Sequence, residues 1–126
     1  MQELDGTGTL IAIVDDDLSV RTALNNLLRS VSYQTLLFES AEAVLQSDAL
    51  SGVSLMVLDV KFNGISGIEL FEQLRTAGVT IPTVFISGHA DLNTQLRIAR
   101  AGALLFLPKP VDVEILLKTI DDIVKA

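Results

Sequence analysis

Five short, largely apolar runs alternate along the chain with segments whose apolar residues recur every three or four positions. Short apolar runs are typical of strands covered on both faces, whereas the longer spacing predicts amphipathic helices. Strands that alternate with helices in units of about 20–25 residues predict an α/β fold with a parallel sheet, because parallel strands need a crossover between them. The runs predict strands at Leu10–Val14, Tyr33–Phe38, Leu55–Leu58, Thr83–Ser87 and Ala103–Leu107.

Local signals mark the ends of several predicted helices. Ser40 is suited to cap a short second helix, and Ser66 with Glu69 has the form of a capping box for the third. Asp91 is suited to cap the fourth helix, which Gly102 would close. Right-handed crossovers then place helices on both faces of the sheet. The apolar residues that mark the longer helices are Val20, Leu24, Leu27, Leu28 and Val31; Ile68, Phe71 and Leu74; Leu92, Leu96 and Ala99; and Val113, Leu116, Leu117, Ile120 and Val124.

Length and charge limit the classes of function. A chain of 126 residues with 49% hydrophobic residues fits one domain with a real core, and we expect a polar tail at 1–9 followed by that domain at 10–126. The net charge of −7 disfavours direct nucleic-acid binding, which needs clustered Lys and Arg. The apolar runs are too short to cross a membrane, and the sequence has no cysteine. Because 1–9 is polar and acidic, we expect no signal peptide there. We expect a cytoplasmic protein.

Polar side chains stand where four of the five predicted strands end. In a parallel sheet the carboxyl ends of all strands meet at one edge, and ligands bind there. If the strand order is 2-1-3-4-5, the four strands concerned are neighbours, so their terminal side chains share one pocket. The set comprises Asp15, Asp16 and Asp17 after the first strand, Asp59 after the third, Ser87 at the end of the fourth and Lys109 after the fifth.

This combination of side chains favours one kind of chemistry. Carboxylates held close together must take up protons or bind a cation, and an all-oxygen ligand set suits Mg²⁺. A carboxylate beside Mg²⁺ and a lysine can attack phosphorus and form an aspartyl phosphate. Lys109 and the Ser87 hydroxyl could then neutralise or hydrogen-bond the phosphoryl oxygens.

Taken together, these residues resemble those of response-regulator receiver domains, the CheY-like family. The resemblance runs from about Leu10 to Val124, and Ser87 and Lys109 follow Asp59 by 28 and 50 residues, which is the usual spacing in the family. Segments such as VDDDLSVR, ISGHAD and KPV are similar to receivers of LuxR-type (FixJ/NarL-like) regulators. The resemblance implies a doubly wound, flavodoxin-like (βα)5 sandwich whose parallel sheet has the order 2-1-3-4-5.

The resemblance also implies a role for each matching residue. Asp59 corresponds to the phospho-acceptor, Ser87 and Phe106 to the switch residues, and Lys109 to the lysine that pairs with the phosphoryl group; its bond to Pro110 is usually cis. The Mg²⁺ ligands implied are Asp15, Asp16, Asp59 and the backbone carbonyl of Lys61. The phosphoryl donor would be a sensor histidine kinase, and the readout a change of the fourth helix, fifth strand and fifth helix. That surface would control a partner, a second copy of the chain, or a DNA-binding output domain absent from this chain.

Two positions depart from the family pattern. Asn63, followed by Gly64, stands where a proline is common, so we expect a different turn or a more mobile loop after Asp59. Leu105 stands where many relatives carry an acid that bridges across a dimer. Strand alternation buries one residue of the pair Leu104–Leu105 and leaves the other as a candidate contact surface.

Other interpretations remain open at this point. Asp15 to Ser19 fits the D-x-D-x-[ST] loop of haloacid-dehalogenase-type phosphatases, in which Asp15 would be the nucleophile and Asp59 would have no role. A receiver-like interaction module that works without phosphorylation is a further alternative. A flavin carrier of the same fold is disfavoured, because an acidic loop would repel its phosphate. We expect Asp17 to cap the first helix or be solvated, and His89 to be exposed.

Overall fold

The architecture follows from the alternation of strands and helices. A computed structural model describes residues 9–61, 64–89 and 91–125. The predicted tail, apart from Thr9, and the departure at Asn63 therefore lie outside the described residues. The elements are β1 Leu10–Val14, α1 Leu18–Ser30, β2 Gln34–Phe38, α2 Ala41–Leu45, a 3₁₀ turn Leu50–Gly52, β3 Val53–Asp59, α3 Gly67–Thr76, β4 Thr83–Ser87, α4 Leu92–Ala101, β5 Leu105–Pro108 and α5 Val113–Val124.

The five strands form one parallel sheet in the predicted order β2-β1-β3-β4-β5. Alternate residues of each strand face opposite layers: Ala12 and Val14 pack with α2, α3 and α4, whereas Ile11 and Ile13 pack with α1 and α5. Both layers are apolar, which explains why the central strands are continuous apolar runs. The doubly wound three-layer sandwich is confirmed.

The predicted capping signals are all present. Ser66 and Glu69 form both hydrogen bonds of the capping box at the start of α3. Ser40 caps α2, Asp91 caps α4, and Asp17 caps α1 by accepting from two backbone amides of the first turn. These short polar side chains satisfy amides that the helix itself leaves unpaired, so they fix where each helix begins.

The bounds of three strands differ from the predictions, and α4 buries a residue that the apolar pattern did not include. Of the residues that mark α4, Leu92 is 70% exposed and Leu96 43% exposed, while Ile98 is the buried residue. The second and third strands differ from their predicted bounds by one or two residues, and the fifth spans Leu105–Pro108 rather than Ala103–Leu107. Proline is tolerated there because β5 is an edge strand, where one side of the backbone needs no partner. In the part of the chain that the structure describes, no helix is long and apolar enough to cross a membrane.

Candidate functional site

The carboxyl ends of four adjacent strands bring the predicted polar residues to one edge of the sheet. Asp15 follows β1 directly, and Asp59 is the last residue of β3. Asp59 is in register with Ile86, the residue before Ser87, and Ser87 is in register with Pro108, the residue before Lys109. The strand order therefore gathers residues that are 94 positions apart in the sequence, from Asp15 to Lys109.

Three carboxylates form the acidic part of the site. Asp15 is fully buried, Asp59 is 5% exposed, and Asp16 is exposed at the rim. One oxygen from each of the three lies within 4.8 Å of the other two. Asp15 Oδ1 accepts a hydrogen bond from the Asp17 amide at 2.8 Å, whereas the buried Oδ2 accepts none of good geometry from the described residues. A hard divalent cation fits this all-oxygen set of carboxylates.

Lys109 is the cation that the fold itself supplies. Its Nζ lies 2.8 Å from Asp15 Oδ2 and 3.5 Å from Asp59 Oδ2. Burial works to lower the pKa of Lys109, but the adjacent carboxylates outweigh that effect and raise the pKa above its ordinary value. Lys109 therefore keeps its positive charge. The Lys109 amide donates to the Ser87 carbonyl oxygen at 2.8 Å, and the Lys109–Pro110 bond is cis, as expected.

The electrostatic environment of Asp59 differs from that of a surface aspartate. Burial and the neighbouring charge of Asp15 raise the pKa of Asp59 from 3.8 to about 6, and Lys109 and the Lys61 amide offset part of this rise. Near pH 7.5, which is above this value, the Asp59 carboxylate is still largely ionised. It is thus available as a nucleophile and more basic than a solvated aspartate.

The other predicted residues surround this centre at different distances from it. Ser87 is buried, and its Oγ accepts a hydrogen bond from the His89 amide at 3.1 Å. Lys61 is exposed, and its amide makes a weak 3.5 Å contact with Asp59 Oδ1. Phe106 is half-buried beside Phe85 and packs against the α2–α4 layer. His89 is exposed, as predicted.

Gly67 has a role at the site that the sequence did not reveal. Its amide donates to the Val60 carbonyl at 2.8 Å, and a Cβ built on Gly67 would lie 1.9 Å from the Asp59 carbonyl oxygen. The backbone at the start of α3 therefore contacts the backbone of Asp59 so closely that no side chain fits at position 67. The sequence signal was a glycine immediately after the cap residue Ser66.

Comparisons with known proteins agree with this geometry. The family described as "Response regulator receiver domain" matches residues 11–121. Nodulation protein W of Bradyrhizobium diazoefficiens is 39% identical over 104 residues, which are 82% of this chain and 46% of that protein. Response regulator protein TodT of Pseudomonas putida is 35% identical over 120 residues, which are 95% of this chain and 53% of TodT. The solved structure of response regulator StyR has a TM-score of 0.85 at 40% identity, and the match covers 93% of this chain and 59% of that one. The chain spans about half the length of the curated relatives it matches.

Proposed function

Because the chain belongs to the response regulator receiver domain family, we propose that residues 10–126 form a phosphorylation switch whose acceptor is Asp59. Receiver domains are signalling switches of two-component systems rather than conventional enzymes. The observation that carries the assignment of Asp59 is its position. Asp59 is a nearly buried, basic carboxylate beside Lys109, within 4.8 Å of two further carboxylates. A histidine kinase would supply the phosphoryl group, and the setting we propose is the cytoplasm.

The side chains can divide the chemistry of phosphoryl transfer among them. An Asp59 oxygen attacks phosphorus in line, the bond from phosphorus to the donor nitrogen breaks, and the electron pair leaves with the donor imidazole. Lys109 is placed to neutralise charge on the phosphoryl oxygens, and the Ser87 hydroxyl is a candidate donor to them. Asp15, Asp16, Asp59 and the Lys61 carbonyl would hold Mg²⁺. That ion would screen the carboxylates and stabilise charge on the phosphoryl oxygens.

We further propose that phosphorylation changes the surface formed by α4, β5 and α5. Ser87 and Phe106 belong to neighbouring strands, so a shift of Ser87 toward the phosphoryl group would alter the packing around Phe106. Leu92, Leu96 and Leu104 leave apolar area exposed on or beside α4. That area is suited to a second copy of the chain or to an output domain. Two further relatives, TdiR of Thauera aromatica and FixJ of Bradyrhizobium diazoefficiens, are described as transcriptional regulatory proteins, and this chain spans about half of each. A DNA-binding output is therefore the partner class we favour.

The phosphatase interpretation requires Asp15 as the nucleophile. Asp15 is fully buried, and both of its oxygens already face partners, the Asp17 amide and the Lys109 ammonium. A substrate would have less access to Asp15 than to Asp59. The family match also favours the switch over the phosphatase.

Labelling with acetyl phosphate tests the proposal against its alternatives. We expect the wild type to gain one phosphoryl group with Mg²⁺ and none with EDTA, and Asp59→Asn to gain none with either. Undiminished labelling of Asp59→Asn would refute the acceptor assignment. Sustained hydrolysis of p-nitrophenyl phosphate, lost in Asp15→Asn but kept in Asp59→Asn, would favour a phosphatase. No Mg²⁺ binding in a titration of the wild type would favour an interaction module that works without phosphorylation.

A further inference from the structure

The position of Arg21 is unexpected on helix energetics alone. Arg21 is the fourth residue of α1, near the end where the helix dipole is positive and a cation is disfavoured. Its side chain is half-buried rather than extended into water, and its Nη1 donates to the backbone carbonyl oxygen of Asp15 at 2.7 Å. The side chain therefore reaches back from the helix to the end of β1.

This hydrogen bond completes the fixation of the acid loop, residues Asp15–Asp17. The Asp15 carboxylate is held at Oδ1 by the Asp17 amide and at Oδ2 by Lys109. Asp17 is held in turn, because its carboxylate accepts from the Ser19 and Val20 amides. Arg21 supplies what these contacts lack, a side-chain donor to the loop's own backbone.

Asp16 depends on that backbone for its direction. Within the part of the chain that the structure describes, the Asp16 side chain makes no hydrogen bond or ion pair. Its oxygen nevertheless lies within 4.8 Å of ligand oxygens on Asp15 and Asp59. An exposed side chain without a partner can point only in the few staggered directions that its backbone position and conformation allow. We propose that Arg21 is a positioning residue, which holds the acid loop so that Asp15 and Asp16 can bind a divalent cation together with Asp59.

The charge of Arg21 and its hydrogen bond to the acid loop predict opposite effects on Mg²⁺ binding when the side chain is replaced. If the guanidinium acts only through its charge, it repels a cation bound to the loop, and removing it strengthens Mg²⁺ binding. If the guanidinium fixes the loop, removing it weakens Mg²⁺ binding, because the ligands must then be ordered by the ion itself. The sign of the change in affinity therefore distinguishes the two roles.

The experiment compares Arg21→Met with Arg29→Met, using Mg²⁺ alone as the probe. Arg29 lies on the same helix, about 12 Å farther along its axis, and is exposed, so its replacement changes the net charge equally. By titration calorimetry we expect about tenfold weaker Mg²⁺ binding for Arg21→Met. We expect a change of less than about twofold for Arg29→Met, because salt screens a distant exposed charge. Without metal, the Asp17 amide of Arg21→Met should also exchange its hydrogen faster than in the wild type.

Arg21→Lys keeps the charge and one donor, and it should recover part of the lost affinity. Mg²⁺ binding by Arg21→Met as tight as, or tighter than, that of the wild type would overturn the inference. If Arg21→Met does not fold, Arg21→Gln, whose side chain is too short to reach the Asp15 carbonyl, takes its place, and wild-type Mg²⁺ affinity together with wild-type Asp17 exchange in that variant would overturn the inference. The inference rests on the proposed function, and the two failures are distinct. A wild type that binds no Mg²⁺ refutes the cation site itself, whereas a binding wild type with an unaffected Arg21→Met refutes only the role of Arg21.

Discussion

Replacing Asp59 with asparagine should stabilise the protein when no metal is present. The substitution preserves shape but removes one of two buried carboxylates, and Lys109 keeps its closer partner, Asp15, at 2.8 Å. The rise in the pKa of Asp59 from 3.8 to about 6 corresponds to about 3 kcal/mol against the charged form. Water at the open side of the pocket screens the charge, so we expect a net gain of about 1–2 kcal/mol near pH 7.5.

The pH dependence of this gain in stability follows from the upward shift in the pKa of Asp59. The folded protein holds the Asp59 proton more tightly than the unfolded chain does. The penalty is therefore absent below a pH of about 3.8, grows as the pH rises toward 6, and is complete above it. The gain in Asp59→Asn should follow the same course, vanishing near pH 4 and reaching its full value near pH 7.5.

Urea denaturation in EDTA measures this difference directly. Asp48→Asn is the matched control, since it removes the same charge from an exposed site and should change the free energy of unfolding by less than about 0.5 kcal/mol. Added Mg²⁺ should stabilise the wild type more than Asp59→Asn, because only the wild type keeps the full ligand set. A variant no more stable than the wild type near pH 7.5, or a gain of the same size near pH 4, would show that burial does not penalise the charged form of Asp59.

Three further substitutions test the surroundings of Asp59, each by urea denaturation. Lys109→Met should lower the free energy of unfolding by about 3 kcal/mol near pH 7.5, because Asp15 and Asp59 lose their counter-ion. An unchanged free energy of unfolding would mean that water already solvates these two carboxylates. Gly67→Ala should lower the free energy of unfolding by about 3 kcal/mol and reduce phosphorylation of Asp59, since the new methyl group overlaps the Asp59 carbonyl. Gly52→Ala is its control, because the methyl group added there makes only ordinary contact. Ser66→Ala should cost about 1 kcal/mol through loss of the capping box; a loss below about 0.3 kcal/mol would show that the cap is redundant.

Much of the fold could be predicted because its strongest signals are local. Apolar runs and capping residues such as Ser66 act within a few positions of themselves, so strand and helix identities follow from the sequence. The buried face of α4 did not follow, because α4 carries apolar residues on more than one side. Contact with the sheet selects Ile98 over Leu92 and Leu96, and that contact is not encoded within the helix.

The composition of the candidate site was predictable, but its geometry was not. A parallel sheet brings its strand ends together, so the residue types at those ends could be gathered from the sequence alone. The distances from Lys109 to Asp15 and Asp59 depend on register between distant strands. Arg21 and Gly67 were missed for a different reason, because each contacts backbone only six or eight positions earlier in the chain, across a loop whose path the sequence pattern does not give.

The central claim is that Asp59 carries the phosphoryl group, and chemical trapping tests it most directly. The protein is treated with acetyl phosphate and Mg²⁺, reduced with borohydride, which converts an aspartyl phosphate to homoserine, and mapped by peptide mass spectrometry. If Asp59 is the acceptor, homoserine forms at position 59 and at neither of the two acids of the neighbouring loop, Asp15 and Asp16. Homoserine at either of those positions, or a phosphorylated protein with aspartate intact at position 59, would show that Asp59 is not the acceptor.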